Sequence, residues 1–148
     1  MVRCEADIEE WGYKFHMNDV CATVGIENLK HADNIISKHR ENAAYYDKHL
    51  QNIEGITLLK REKGFDSAFW IYSLKVENRD KFYKHMSGCN IAVSQVHERN
   101  DKHTCVKEFQ THLPSLDATM GKIVSIPVGW WVTPEEREYI VDCIKKWK

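Results

Sequence analysis

The chain has 148 residues, of which 43% are hydrophobic and 29% are charged. These proportions are those of an ordinary globular protein, and the length suits one domain with one hydrophobic core. The formal net charge of −1 gives no general attraction for nucleic acid or acidic membranes, so neither is expected as a partner.

The cysteine usage and the N-terminus indicate a cytoplasmic protein. The five cysteines are scattered and form no CxxC pair, a usage that suits a reducing compartment. The first residues, MVRCEADIEEW, lack the apolar core of a signal peptide. The longest apolar run, IVSIPVGWWV, is too short to span a bilayer and is interrupted by Ser125 and Pro127.

A helical pattern extends from Asn18 to about Leu50, because apolar residues recur at alternating spacings of three and four. Gly25 weakens the beginning of this run and predicts a bend, or two helices in series, near residues 25–30. We expect the apolar stripe to pack against a sheet or a neighbouring helix, with a coiled-coil seam as the alternative. The stripe consists of Leu29, Ala32, Ile36, His39, Ala43, Tyr46 and Leu50.

The remainder of the chain mixes strands and helices. Four short strands are predicted, at residues 56–60, 68–77, 90–97 and 122–128. A short helix begins at Asn78 and ends at Gly88, between the second and third strands. The closing helix has Thr133 as its N-cap, Pro134 at the first helical position and Glu136 to complete a capping box.

This order of elements predicts an α+β domain of two layers. A small antiparallel or mixed sheet carries helices packed on one face, and the long N-terminal helix and the C-terminal helix are the main helical elements. Such a layout hosts many unrelated functions and indicates none by itself.

The most polar cluster is QVHERNDKHTC, residues 95–105, which directly follows a predicted strand. Arg99 can bind a carboxylate or phosphate with two parallel hydrogen bonds, while Asn100 and His103 supply further hydrogen bonds. The cluster therefore suits an anionic ligand, and a solvated loop without a ligand is an equal alternative.

Two further interpretations concern metal and aromatic ligands. His97, His103 and Cys105 could form a zinc site, but their spacing matches no standard zinc pattern, so no metal is expected. Trp130 and Trp131 could stack on a base or sugar, or could cover the end of the sheet. No nucleophile–base set is recognisable, so no catalytic residue is assigned.

The order of several segments resembles one enzyme family. GYKFHMNDVCATVGIENL is similar to the stretch G-Y-N/K-x-x-M-S/T/N-D-x-x-A-x-x-G-x-x-Q/N-L of the pyridoxal-phosphate (PLP) sugar aminotransferases of the DegT/DnrJ/StrS family. ISKHRENAAYYDKHL resembles the family helix R-x-x-x-A-x-x-Y-x-x-x-L. AFWIYSLKVENRDKFYKHM, NIAVSQVHERNDKH and IVSIPVGWWVTPEEREYIVDCIKKW resemble its strand–helix step, its substrate loop and its closing segment. The match covers about residues 11–147.

The resemblance implies the fold of aspartate aminotransferase, fold type I. Residues 29–148 would be the C-terminal small domain, and residues 1–28 a remnant of the large-domain edge with an interface segment. Members move an amino group from glutamate to a keto group on a nucleotide-linked sugar. In the full enzyme, the resemblance assigns Lys14 to the PLP phosphate of the opposite subunit. It assigns the substrate side to His97, Arg99, Asn100 and His103.

In the family, the Schiff-base lysine lies upstream of the Gly12-Tyr13-Lys14 stretch. The resemblance therefore implies a C-terminal fragment that binds no PLP and is inactive alone. A freestanding α+β interaction module without catalysis is the alternative.

Self-association as a homodimer or larger species is also expected. A domain separated from a larger enzyme exposes apolar surface that the rest would cover. The candidates for such a surface are Trp11, Tyr13, Phe15 and Met17.

Overall fold

The computed structural model describes residues 6–14 and 17–147, and five α-helices and three β-strands lie in this part of the chain. The helices are α1 (Asp19–Leu29), α2 (Ala32–His49), α3 (Arg79–Gly88), α4 (Pro114–Met120) and α5 (Pro134–Lys146). The strands are β1 (Ile56–Leu58), β2 (Tyr72–Val76) and β3 (Ile123–Ile126). The α+β class is confirmed. No helix of the described chain has the length and apolar character needed to cross a membrane.

The sheet is antiparallel throughout, with β2 between β1 and β3. Leu74 at the centre of β2 lies opposite Leu58 on one side and Val124 on the other. Burial alternates along β2, so that Tyr72, Leu74 and Val76 are buried in the core. This period of two is the direct result of side chains pointing to alternate faces of a strand.

The predicted division of the first helical stretch is confirmed, and it falls at the end of the expected range and not at Gly25. The break falls at Lys30 and His31, whereas Gly25 lies inside α1. A glycine in an exposed helix costs only about 1 kcal/mol relative to alanine, which the surrounding turns tolerate. No residue of α1 is buried.

The apolar stripe of α2 packs against the core over its C-terminal half. Ala43, Tyr46 and Leu50 are fully buried, and His39 is nearly so. The expectation for Leu29 is wrong, because this side chain remains 72% exposed at the end of α1.

The strand predicted at residues 90–97 is wrong. Only an isolated bridge forms there, in which Ser94 and Ser125 exchange main-chain hydrogen bonds of 3.1 and 2.7 Å. Asn90 adopts a positive φ of 57° before the bridge. After it, Gln95 Nε2 donates to the carbonyl of His97 at 3.0 Å, a contact within the segment itself.

The two capped helices are confirmed. Asn78 Oδ1 accepts the amide of Lys81 at 3.1 Å and begins α3. Thr133 and Glu136 form the predicted capping box at the start of α5, with bonds of 2.9 and 3.2 Å. These contacts are local and need no tertiary partner.

Candidate functional site

Arg99 is held by two carboxylates, one in its own loop and one in α4. Its Nη2 and Nε donate to the two oxygens of Asp101 at 2.6 and 2.9 Å, and Nη1 donates to Asp117 of α4. These bonds raise the pKa of Arg99 above its ordinary value and lower the pKa of Asp101. Each terminal nitrogen of a guanidinium carries two N–H groups, so Arg99 retains donors for a ligand anion on both Nη atoms.

His103 is the most deeply buried of the predicted ligand residues, at 9% exposure. It precedes Thr104, whose amide and hydroxyl both donate to the carboxylate of Asp7, at 2.9 and 2.6 Å. The hydrogen bonds from Thr104 lower the pKa of Asp7. Asp7 was not expected at this loop, because a contact across 97 sequence positions leaves no local signal.

His97 and Asn100 lie at the exposed side of the same loop. The ring of His97 lies 6.1 Å from that of Trp70, which is 70% exposed, at an interplanar angle of 61°. Trp70 and Trp131 line one cavity of about 330 Å³ above β3. Trp70 and Trp131 are mostly exposed, and Trp130 is also more than half exposed. The rings of Trp130 and Trp131 are therefore accessible for stacking on a base or sugar, and Trp70 is a further residue of this kind.

Lys14 lies in the segment that precedes α1. It is exposed, and among the described residues it makes no ion pair or hydrogen bond. Its neighbour Gly12 faces open space, since a Cβ built there would meet no atom within 4 Å. Phe15 lies outside the described residues.

Among the described residues, Lys14 suits the phosphate of PLP by its charge, and no described lysine is assigned as the covalent anchor. Lys14 offers an exposed ammonium group, which suits a phosphate dianion as a point charge. Among the described lysines only Lys75 is shielded, and its Nζ donates to Thr119 Oγ1 at 3.2 Å. A lysine that holds PLP needs a shielded position beside the cofactor ring.

A metal site gains no support from the arrangement. Within residues 6–14 and 17–147, no group of three or more His, Cys, Asp or Glu side chains is placed to hold a metal ion. His97, His103 and Cys105 are among the residues of which this is true.

Comparison with known proteins decides the family. Residues 3–145 match the model of the DegT/DnrJ/EryC1/StrS aminotransferase family. The chain belongs to this family. The resemblance drawn from the order of segments is thereby confirmed.

Two solved structures are similar to this chain in both sequence and fold. It is 43% identical to sugar aminotransferase CalS13 from Micromonospora echinospora, with a TM-score of 0.84 over 91% of this chain. It is 42% identical to AtS13 from Actinomadura melliaura, with a TM-score of 0.83 over 94% of this chain. The chain spans 37% of the length of each of these proteins.

A curated relative carries a more specific name. The UDP-4-amino-4-deoxy-L-arabinose–oxoglutarate aminotransferase of Shewanella sediminis is 25% identical over 139 residues. The match covers 84% of this chain and 36% of that protein. The chain is therefore similar to about a third of a sugar aminotransferase.

Proposed function

We propose that the chain contributes the small domain of a PLP-dependent aminotransferase that transfers an amino group from glutamate to a keto group on a nucleotide-linked sugar. The observation that carries this proposal is the identity of 42–43% with CalS13 and AtS13 over more than nine tenths of the chain. The name of the Shewanella sediminis relative supports a nucleotide-linked substrate.

The described residues take separate roles in this proposal. Lys14 contacts the phosphate of PLP across the subunit interface, and the cofactor, when bound, carries the amino group between the two substrates. Arg99 binds a phosphate of the nucleotide through the N–H groups that its carboxylate partners leave free. His97, Asn100 and His103 donate or accept hydrogen bonds on the sugar side.

We further propose that the chain divides at residue 28 between an interface segment and the small domain. Its support is the burial pattern, because α1 contributes nothing to the core whereas α2 contributes four buried residues. The 148 residues alone are expected to form no covalent bond with PLP and to transfer no amino group, since the resemblance places the anchoring lysine before Gly12.

A chimera tests the proposal. Residues 12–147 replace the matching segment of CalS13, and amino transfer from glutamate to a nucleotide-linked keto sugar is measured beside unaltered CalS13. We expect the chimera to retain PLP and transfer the amino group. A chimera that folds and retains PLP but transfers no amino group to any nucleotide-linked keto sugar contradicts the proposed function.

The isolated 148-residue chain supplies a second test. It is mixed with PLP, treated with borohydride and examined by mass spectrometry. We expect no stoichiometric adduct. A stoichiometric adduct on one lysine would show that the chain anchors the cofactor itself.

A further inference from the structure

The segment before Gly12 is fastened to the loop that follows His103. Asp7 accepts two hydrogen bonds from Thr104, and the amide of Cys105 donates to the carbonyl of Ile8 at 2.9 Å. Residues 7–8 and 104–105 therefore lie side by side. Because Asp7 accepts both the amide and the hydroxyl of Thr104, its carboxylate has little freedom to rotate.

The fixed carboxylate lies next to an imidazole nitrogen that lacks a partner. His103 Nδ1 is buried without a hydrogen-bond partner among the described residues, and it lies 3.7 Å from Asp7 Oδ1. A buried polar atom without a hydrogen bond is costly, so this nitrogen needs one nearby group to satisfy it. Hydrogen bonds of this kind are often long without ligand and shorten when ligand binds.

We propose that Asp7 is a positioning residue that holds His103 in the tautomer protonated at Nδ1. A carboxylate beside one ring nitrogen favours the proton on that nitrogen and leaves the other as an acceptor. Nε2 of His103 is then the acceptor for a hydroxyl group of a sugar-containing ligand. The use of Nε2 for a sugar rests on the proposed function, whereas the tautomer of His103 does not.

The tautomer is measurable by nitrogen-15 NMR of the imidazole rings of the 148-residue chain. Spectra are recorded at a pH where the His103 ring is neutral, and its signals are assigned by their loss in His103→Gln. We expect the Nδ1–H form to dominate in the unaltered chain. A ring protonated mainly at Nε2 overturns the proposal, and this result needs no variant.

Two substitutions of Asp7 test whether its negative charge sets the tautomer of His103. Asp7→Asn keeps an acceptor for Thr104 but removes the charge, so the ratio of the Nδ1–H to the Nε2–H form should fall by about tenfold. Asp7→Ala should lower it at least as far. Glu9→Gln, an exposed change two residues away, should leave the ratio unaltered. If the tautomer ratio of His103 is unaltered in both Asp7 variants, Asp7 only binds Thr104, and the proposal is overturned.

Thr104→Val tests the hydrogen bonding between Thr104 and Asp7 by itself. It removes the hydroxyl bond to Asp7 but leaves the amide bond and the charge, so amide exchange at Cys105 should speed up while the tautomer ratio of His103 stays within about twofold. A tautomer ratio that changes as much as in Asp7→Asn would contradict a direct effect of the carboxylate.

The same variants in the CalS13 chimera measure the functional part. We expect Asp7→Asn, in a chimera extended to residue 6, to raise KM for the nucleotide-linked sugar about tenfold while PLP retention is unaltered. An unaltered KM with an altered tautomer overturns the role of Nε2 toward the sugar and leaves the Asp7–His103 relationship standing. A chimera without amino transfer in any form counts against the proposed function instead.

Discussion

Asn42 of α2 donates through Nδ2 to the main-chain carbonyl of Gly129 at 3.1 Å, in the loop between β3 and α5. The same amide group lies 3.3 Å from the carbonyl of Val128 and 3.4 Å from that of Val132. Its Oδ1 accepts from Arg137 Nη1 of α5 at 3.1 Å. One buried side chain thus joins α2, the loop and α5.

Removal of this amide should destabilise the fold. Asn42→Ala removes the side-chain donor to the buried carbonyls of Val128 and Val132, whereas the carbonyl of Gly129 keeps the amide of Val132. We expect the free energy of unfolding to fall by about 2–3 kcal/mol. Asn34→Ala, on the exposed side of the same helix, should change it by less than about 0.5 kcal/mol. Urea unfolding of both variants measures the difference. Equal effects of the two substitutions would show that the hydrogen bonds of Asn42 do not stabilise the fold.

The indole of Trp131 packs on the backbone of Gly129. A Cβ at position 129 would lie 2.3 Å from a ring atom of Trp131, so Gly129→Ala must displace this ring. Because the ring is 62% exposed and can swing outward, we expect a cost of only about 1 kcal/mol with increased quenching of tryptophan fluorescence by acrylamide.

Gly121→Ala is the matched control for Gly129→Ala, since nothing lies within 4 Å of a Cβ at position 121. It should leave the quenching unaltered. Unaltered quenching in Gly129→Ala as well would contradict the packing of Trp131 on Gly129.

Two buried tyrosines should limit stability at high pH. Burial raises the pKa of Tyr46 and of Tyr72 well above the ordinary tyrosine value, and the hydrogen bond of Tyr72 to Asp47 raises its pKa further. The unfolded chain loses both phenolic protons near pH 10, whereas the folded chain keeps them, so the free energy of unfolding should fall as pH rises above about 10.

Urea unfolding between about pH 8 and pH 11 measures this loss. Tyr72→Phe should reduce its slope with pH, because one of the two shifted groups is then absent. The exposed Asn34→Ala change, which removes no ionisable group, should leave the slope unaltered. A slope that is identical in Tyr72→Phe and the unaltered chain would contradict the assignment to Tyr72.

Lys14 should matter for cofactor retention in the assembled enzyme. In the CalS13 chimera, Lys14→Ala is expected to weaken PLP retention roughly 10- to 100-fold, because it removes the charge-assisted contact that we propose with the phosphate. Lys14→Asn should cost much less, since an amide still donates a hydrogen bond. PLP dissociation rates measure both, with the exposed Lys81→Ala as control.

The contact is proposed to cross the subunit interface, and mixed dimers test that separately. A Lys14→Ala subunit paired with a subunit that lacks the anchoring lysine should retain one intact site and measurable amino transfer. Equal and negligible effects of Lys14→Ala and Lys14→Asn would leave Lys14 as a surface lysine.

The 148-residue chain is expected to self-associate through its first thirty residues. Large apolar side chains of this segment are exposed in the structure, and contiguous apolar surface favours association. They include Trp11, Tyr13, Met17, Val20, Val24, Ile26 and Leu29. Sedimentation at micromolar concentration should show dimers or larger species, and Val20→Lys combined with Val24→Lys should shift them toward monomer. A monomer at all concentrations would refute this expectation.

The sequence by itself determined the elements whose signals are local. Thr133, Pro134 and Glu136 predict the start of α5 because a capping box involves residues three positions apart. Asn78 predicts the start of α3 for the same reason. The family could also be inferred from sequence, because the order of several short segments is preserved along the chain and needs no knowledge of their contacts.

Only the tertiary structure decided which residues meet across the chain. Residues 90–97 have the composition of a strand, yet within them only Ser94 pairs with β3, and Gln95 Nε2 donates to the carbonyl of His97 instead of to a neighbouring strand. Asp7 reaches Thr104 and His103 because the two segments that carry them lie side by side in the fold. Such contacts depend on loop closure and on packing between distant segments, and no spacing within either segment specifies them.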